Sequence, residues 1–502
     1  MSKNTYTVDN ITWNDLSLDD IYSRLSSCVS SAGDDYLYDR LRHPFINDCD
    51  EFREQSKLFD EIKTEDKKSI IEYLTKISRL KNYRYKDVLG EFINSKEESN
   101  IAHYIIDALV IIAFILIFIY PGPGVVLFFV MIAYSVSDYF KRKDIISSKL
   151  TVFNYLIRIF KASNKFVASY KGKEGTVIDL RVNRISQLVH IFKPFTQMTF
   201  LISEGAKTNS NPFSIVFDYI RMIFHVDIIK YNSMISFLKE HIAEAEEIYD
   251  IVGQLDVAVC LSNISNSEAI HINKLCKPTF GEASHFVVKD LYHPSIKEPV
   301  CNSIDTYNNV LITGCNASGK STFLKAVSLN ALFAQAFNIC FASKYEAPFY
   351  RIYSSMALKD DIDQGESYFM SEIKSLKRIV DASKDETGKI LCVIDEVLRG
   401  TNTVERIAAS VEILKSLCID NVLCFSATHD IELTELLQGD YTNYHFSEEI
   451  TENDVLFNYQ IKTGPSESRN AIRLLSVLGY DEDIVKKATN RADSFMKTGS
   501  WK

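Results

Sequence analysis

The sequence predicts a carboxy-terminal α/β domain on a mostly parallel sheet, preceded by an all-α region into which an apolar helical hairpin is inserted. Three observations carry this. After Lys277, short β-rich runs ("HFVVKDL", "NVLITG", "KILCVIDE", "NVLCFSATH") alternate with helical ones, as in a parallel sheet covered by helices. Before it, apolar residues recur every three or four positions, the period of a helix with one buried face. Within that helical region lies one block, "IIDALVIIAFILIFIYPGPGVVLFFVMIAYSVSDYF", far more apolar than the rest of the chain.

Taken in order, residues 1–100 form the first helical segment, read from "DDIYSRLSSCVSSAGDDYLYDRL" and "DEFREQSKLFDEI". Residues 101–144 are the hairpin. Ala108 to Tyr120 carries no charge, "PGPG" at Pro121–Gly124 breaks the run, and Val125 to Val136 resumes it. A spanning helix needs roughly 20 apolar residues. Each arm reaches that length by recruiting flanks that carry Asp107 and Asp138. Basic residues lie on both sides (Lys81, Arg84 and Lys86; Lys141–Lys143), which suits a membrane hairpin with both ends in the cytoplasm and residues 104–139 in lipid. The alternatives are a buried helical hairpin at a protein interface and a re-entrant segment. Residues 145–276 return to helix, with a polar break at "SEGAKTNSNP" between two helices, and residues 277–502 are the α/β domain.

A chain of 502 residues is long enough for several domains, each with its own core. A formal charge of −10 and a pI near 5.6 give no global basic footprint for nucleic acid, although a local groove remains compatible with them. The ten cysteines are scattered singly with no CxxC pair, which reads as a reducing compartment with no disulfide framework and no zinc site. The amino terminus "MSKNTYTVDNITWNDLSLDD" has neither basic n-region nor apolar core, so no secretory signal is expected.

Gly314 to Ser321 fits G-x-x-x-x-G-K-[ST], after an apolar strand at 309–313 and before the amphipathic helix "KSTFLKAVSLNALFAQAF". In such a loop the glycines let successive N–H groups curl around a phosphate at a positive helix end. Gly314, Ser318, Gly319, Lys320, Ser321 and Thr322 are therefore the nucleotide-binding candidates. Lys320 adds charge against the β/γ oxygens, and Ser321 offers its hydroxyl to Mg²⁺. "ILCVIDE" delivers two carboxylates at a strand tip, 75 residues after Lys320: Asp395 to hold Mg²⁺ through water and Glu396 to orient or deprotonate the attacking water. "NVLCFSATHD" ends a second strand at His429, which either meets the γ-phosphate or lytic water or is a satisfied structural histidine.

These motifs together resemble the MutS family. "TGCNASGKST" has that family's Walker A form, with Asn316 at its asparagine. "DDIDQGESYFMSEIKSLKRIV" is similar to its signature segment, whose serine matches Ser367, and "DEVLRGTNTVER" and "ATHDIEL" resemble its Walker B-to-D-loop and switch-histidine segments. In "LFNYQIKTGPSESRNAIRLLSVLGYDEDIVKKATNRA", similar to the family's carboxy-terminal part, Tyr459 matches the residue that stacks on adenine. The resemblance is strong over 240–502 and loose over 20–60.

The resemblance implies an ABC-type P-loop NTPase that uses ATP and Mg²⁺, preceded by a helical core and lever region. It also implies a homodimer whose composite sites pair the Walker elements of one subunit with Ser367 of the other. Ser367 alone also reads as an ordinary helix N-cap before "SYFMSEIKSLKRI". The mismatch-reading and connector domains of the family are not expected, and no Phe-x-Glu wedge lies in a matching context, which weighs against mismatch recognition. Two readings remain: a membrane-associated dimeric ATPase with its catalytic domain in the cytoplasm, and a soluble cytoplasmic DNA-binding ATPase of mismatch repair or recombination. A transporter subunit is disfavoured because two short spans form no transport path. The 75-residue spacing leaves no room for a long coiled coil.

Overall fold

The computed structural model describes residues 6–62, 64–80, 99–193, 219–264, 274–282, 284–315, 317–356, 368–385, 387–399, 401–450, 455–466, 472, 475 and 479–499. The basic flank at Lys81, Arg84 and Lys86, the polar break at 203–212, Asn316 and Ser367 lie outside them. The chain divides into two compact units, one of residues 1–25, 38–56 and 264–502, the other of residues 26–37 and 57–263.

Among the described residues, the helices before the first strand are α1 (Asn10–Asp15), α2 (Leu18–Leu25), α3 (Ser31–Arg42), α4 (Asp50–Glu61), α5 (Thr64–Ile77), α6 (Ile101–Ile119), α7 (Pro121–Ser169), α8 (Val177–Ile191), α9 (Val226–Glu240) and α10 (Ile242–Ser262). The second unit is all-helical among the described residues. Its core collects Leu74, Phe160, Ile185, Leu238 and Leu255, all buried. Phe160 stacks on Phe192 at 4.1 Å and Tyr73 on Phe166 at 4.4 Å. Burial also closes over Asp256 of α10, whose carboxylate accepts from Val29 N (2.9 Å), Ser30 N (2.7 Å) and Ser30 Oγ (2.6 Å). Burial pushes that carboxyl up to about 6 despite these three donors.

The predicted hairpin is α6 and the start of α7. Tyr120 makes the turn and Pro121 takes the first helical position, where its missing N–H is no loss. A Cβ on Gly124 would lie 2.7 Å from the backbone of Leu116 and Ile117, so only glycine lets the arms meet this closely. Ile101–Ile119 and Pro121–Lys143 are long and apolar enough to cross a bilayer, yet only 22% and 17% of their apolar windows are buried. Ile112, Phe118, Val126 and Phe129 stand exposed. The second arm does not stop there: α7 runs unbroken for 49 residues, about 74 Å at 1.5 Å per residue.

The first unit carries the α/β domain. Its strands are β1 (Thr279–Phe280), β2 (Phe286–Leu291), β3 (Asn302–Thr306), β4 (Asn309–Thr313), β5 (Lys344–Ala347), β6 (Tyr350–Ser355), β7 (Lys389–Asp395), β8 (Val422–Ala427), β9 (Tyr441–Ile450) and β10 (Val455–Thr463). The main sheet has the order β10-β9-β4-β8-β7-β6, parallel throughout except for the β9–β10 hairpin at one edge. Strands β4, β7 and β8 are nearly continuous apolar runs buried on both faces, as a helix-covered parallel sheet requires. Helices α11 (Lys320–Phe337), α12 (Tyr368–Ser383), α13 (Thr403–Ser416), α14 (Glu432–Leu436) and α15 (Glu482–Thr498) complete the unit. A second sheet, β1-β5-β2-β3, adjoins it.

The amino-terminal residues belong with this sheet. β6 is its far edge, and α1 covers it: Ile352 N donates to Tyr6 Oη at 3.0 Å, while Ser354 Oγ and Met356 N donate to Asp15 Oδ2 at 2.6 and 3.0 Å. A free strand edge is thereby satisfied by side chains instead of another strand.

Candidate functional site

The carboxyl ends of β4, β8 and β7 lie side by side, so the loops that follow them converge, as at the crevice of open parallel sheets. The loop after β4 leads into α11. Gly314 has φ +142°, and a Cβ there would meet Phe446 O at 2.7 Å; Gly319 has φ +108° directly before the helix. Neither position accepts a side chain, and Ala317 between them is also left-handed. Lys320 is buried, and its ammonium donates to Gly314 O and Cys315 O, both at 2.8 Å. Burial lowers its pKa, opposed by the charges of Asp395 and Glu396.

Ser321, in the first turn of α11, donates to Asp395 Oδ2 at 2.5 Å across the cleft. A hydroxyl and a carboxylate held this close form an oxygen donor set of the kind a hard divalent cation takes. Glu396 follows at φ +61°, its N–H donating to Ala427 O at 2.9 Å. That left-handed turn aims its carboxylate at His429, whose Nε2 is 2.8 Å from Oε1, while Arg399 Nε binds the other oxygen. Burial alone would raise this carboxyl, but the hydrogen bonds from His429 and Arg399 prevail and hold it near 2. His429 Nε2 is also 3.4 Å from Lys320 Nζ, which joins the phosphate loop to the two strand tips. His429 is fixed from both sides: Thr428 N donates to Ile312 O of β4 at 2.9 Å, and Asp430 takes Arg406 of α13 at 2.5 and 2.9 Å.

These groups line one cleft of about 520 Å³, within the usual size of a small-molecule site. Tyr459 closes one side. It sits at φ +53° in a register shift of the β9–β10 ladder, between Phe457 and Ile461. Asn302 pins that bulge, donating to Tyr459 O (3.0 Å) and accepting from Ile461 N (2.8 Å). The ring lies over the phosphate loop, 3.2 Å from where a Gly319 Cβ would stand.

Of the predicted site residues, Ser318, Gly319, Lys320, Ser321, Thr322, Asp395, Glu396, His429 and Tyr459 line this one cleft, and Gly314 packs behind it against Ser318 and Phe446. Asn316 and Ser367 lie outside the described residues. Sequence reasoning missed the part of the lining formed by His293, Ile296, Glu298, Pro299 and Val300. Burial drives His293 down to about 4, so its ring is uncharged at physiological pH. It also missed Arg399, whose only sequence signal was its place three residues after Glu396. Helix α12, which follows Ser367, is tied to the same turn: Glu372 accepts from Arg399 N at 3.2 Å.

Residues 310–496 match MutS domain V. The chain is similar to DNA mismatch repair protein MutS of Thermus thermophilus, 28% identical over 253 residues, or 49% of this chain and 30% of that protein. With MutS of Natronomonas pharaonis the identity is 31% over 291 residues, 54% and 32% of the two chains. With MutS protein homolog 4 of Mus musculus it is 29% over 304 residues, 57% and 30%. The chain thus spans about a third of the length of the curated relatives it matches. Its carboxy-terminal region is a MutS-type P-loop ATPase domain, and an all-helical region precedes it.

Proposed function

We propose, from the premise that residues 310–496 are a MutS domain V and hydrolyse ATP, that this protein is a dimeric, membrane-associated ATPase whose cycle drives its helical region. The observation that carries the reading is the single cleft in which Lys320, the Ser321–Asp395 pair and the Glu396–His429 pair meet. Lys320 and the N–H groups of residues 318–322 bind the β- and γ-phosphates of ATP, and Tyr459 stacks on the base in the cleft that Ile296, Pro299 and Val300 also line. Ser321 and Asp395 would hold Mg²⁺, which would neutralise charge developing on the transferred phosphate. Glu396, kept ionised by His429 and Arg399, orients the attacking water and accepts its proton, and His429 stands where it can reach the γ-phosphate.

Asn316 and Ser367 complete the reading. Asn316 serves the phosphate loop, and Ser367 of one subunit faces the γ-phosphate held by the other, so that ATP clamps the dimer and hydrolysis releases it. The exposed apolar faces of α6 and α7 support lipid as the medium around the hairpin, with the ATPase unit on the cytoplasmic side. DNA, the subject of repair by the DNA mismatch repair protein MutS of Thermus thermophilus, is the competing target of the same cycle.

Detergent-purified full-length protein tests this. Lys320→Ala should lose ATP binding. Glu396→Gln should bind ATP normally, hydrolyse it on the order of 10²-fold or more slowly, and run as a dimer in ATP. A strictly monomeric Glu396→Gln protein saturated with ATP would sink the clamp, and ATPase stimulated by duplex DNA but not by lipid would favour the competing target.

A further inference from the structure

The helical unit contains a second constellation that the ATPase site does not use. At the base of the apolar hairpin, His103 of α6, Asp138 of α7 and His225, the residue before α9, bring one ligand atom each to within 4.8 Å of one another. We propose that these three residues bind a divalent transition-metal ion of the zinc class, which ties both arms of the hairpin to α9.

The hydrogen-bond pattern points to a ligand. His103 and His225 are both fully buried. Among the described residues, neither ring nitrogen of His103, nor Nε2 of His225, has a hydrogen-bond partner. Leaving such groups buried and unpaired forfeits their hydration without return, and native structures seldom tolerate it. The other nitrogen of His225 is engaged: Nδ1 lies 3.2 Å from Asp107 Oδ1. That is the arrangement in which a carboxylate fixes the tautomer of a metal-binding histidine and leaves Nε2 to the ion. Nε2 is 3.6 Å from Asp138 Oδ2, too far for a hydrogen bond. It is close to the separation of about 3.3 Å between two ligands bonded at about 2.0–2.1 Å to a tetrahedral ion.

Charge and donor type choose the ion. The groups facing the site are Asp107, Asp138 and Arg142, whose Nε donates to Asp138 Oδ2 at 2.9 Å. Two carboxylates against one guanidinium leave room for a dication. Two imidazoles and one carboxylate suit zinc, whereas calcium and magnesium take oxygen shells and copper(I) takes sulfur. Cysteine spacing excludes only a thiolate site, so the expectation of no zinc drawn from it does not reach this cluster. His225 adopts φ +47°, a left-handed backbone that histidine adopts more readily than most residues, and this conformation presents its ring to both arms.

The test uses the full chain in detergent, stripped with chelator, dialysed against Zn²⁺ without nucleotide, and assayed for bound metal by elemental analysis. One zinc per chain is expected, with His103→Gln and His225→Gln each losing it and Asp107→Asn weakening binding about 10- to 100-fold. Far-UV circular dichroism, which reads the helical content of the unit that carries the cluster, reports whether each variant has folded. Wild type that retains no more zinc than folded His103→Gln overturns the proposal. Should the variants misfold, Co²⁺ decides on wild type alone: intense tetrahedral d–d absorption supports the site, and its absence overturns it.

Discussion

At the scale of single residues, the site is built from conformations that most sequences avoid. Gly314, Ala317, Gly319, Glu396 and Tyr459 all have positive φ, and each aims a group into the same cleft or clears space for one. Glu396 illustrates the electrostatic consequence. Its folded pKa, near 2, lies below the ordinary 4.5, so its ion pairs contribute stability that is fully present above the unfolded value. That contribution disappears as pH falls from about 4.5 toward about 2. Melting temperatures of wild type and Glu396→Gln should therefore differ at pH 7 and converge through that window; a gap independent of pH would mean that the carboxylate charge is irrelevant. Tyr459 is tested by affinity instead. A ring stacked on a base contributes about 1–3 kcal/mol, so Tyr459→Ala should raise KM for ATP by roughly 5-fold or more with kcat little changed, while Tyr459→Phe restores it. An unaltered KM would place the base elsewhere.

At the scale of elements, what could be read from the sequence was what is contiguous. The phosphate loop, the acidic tip of β7 and the hairpin each occupy one stretch, and each has a periodicity or a spacing of its own. Pairings between distant stretches had no such signal. Residues 6–15 carry no pattern that names a partner strand, yet they cover the edge of β6, more than 330 residues later, through Tyr6 and Asp15. Likewise the lining around His293 and Ile296 follows an unremarkable strand, and only the folded domain brings it to the cleft that Tyr459 also lines. The Asp15 contact can be weighed. Asp15→Ala removes the acceptor for both Ser354 Oγ and Met356 N, and stranding those buried donors should cost about 1–3 kcal/mol of unfolding free energy. Chemical denaturation of the purified chain measures this, and no change would show that the β6 edge is satisfied by other means.

At the scale of the whole molecule, the open question is what surrounds the hairpin. A buried core helix hides its apolar stripe, but α6 and the start of α7 expose Ile112, Phe118, Val126 and Phe129. Apolar residues exposed on this scale mark contact with lipid or with another protein, and substitution separates the two. A charge within the hydrocarbon layer costs about 2.5–3.5 kcal/mol, so Phe118→Asp, Val126→Asp and Phe129→Asp together should shift partitioning by several orders of magnitude. In vesicle flotation without detergent, wild type should travel with lipid even after a high-salt wash, which removes proteins held by charge alone. The triple variant should remain in the aqueous fraction and keep its ATP binding, because Lys320 and its cleft belong to the other compact unit. Wild type recovered in the aqueous fraction, with a triple variant altered only in oligomeric state, would instead make the hairpin an interface between proteins. The ATPase cycle would then act on a partner chain.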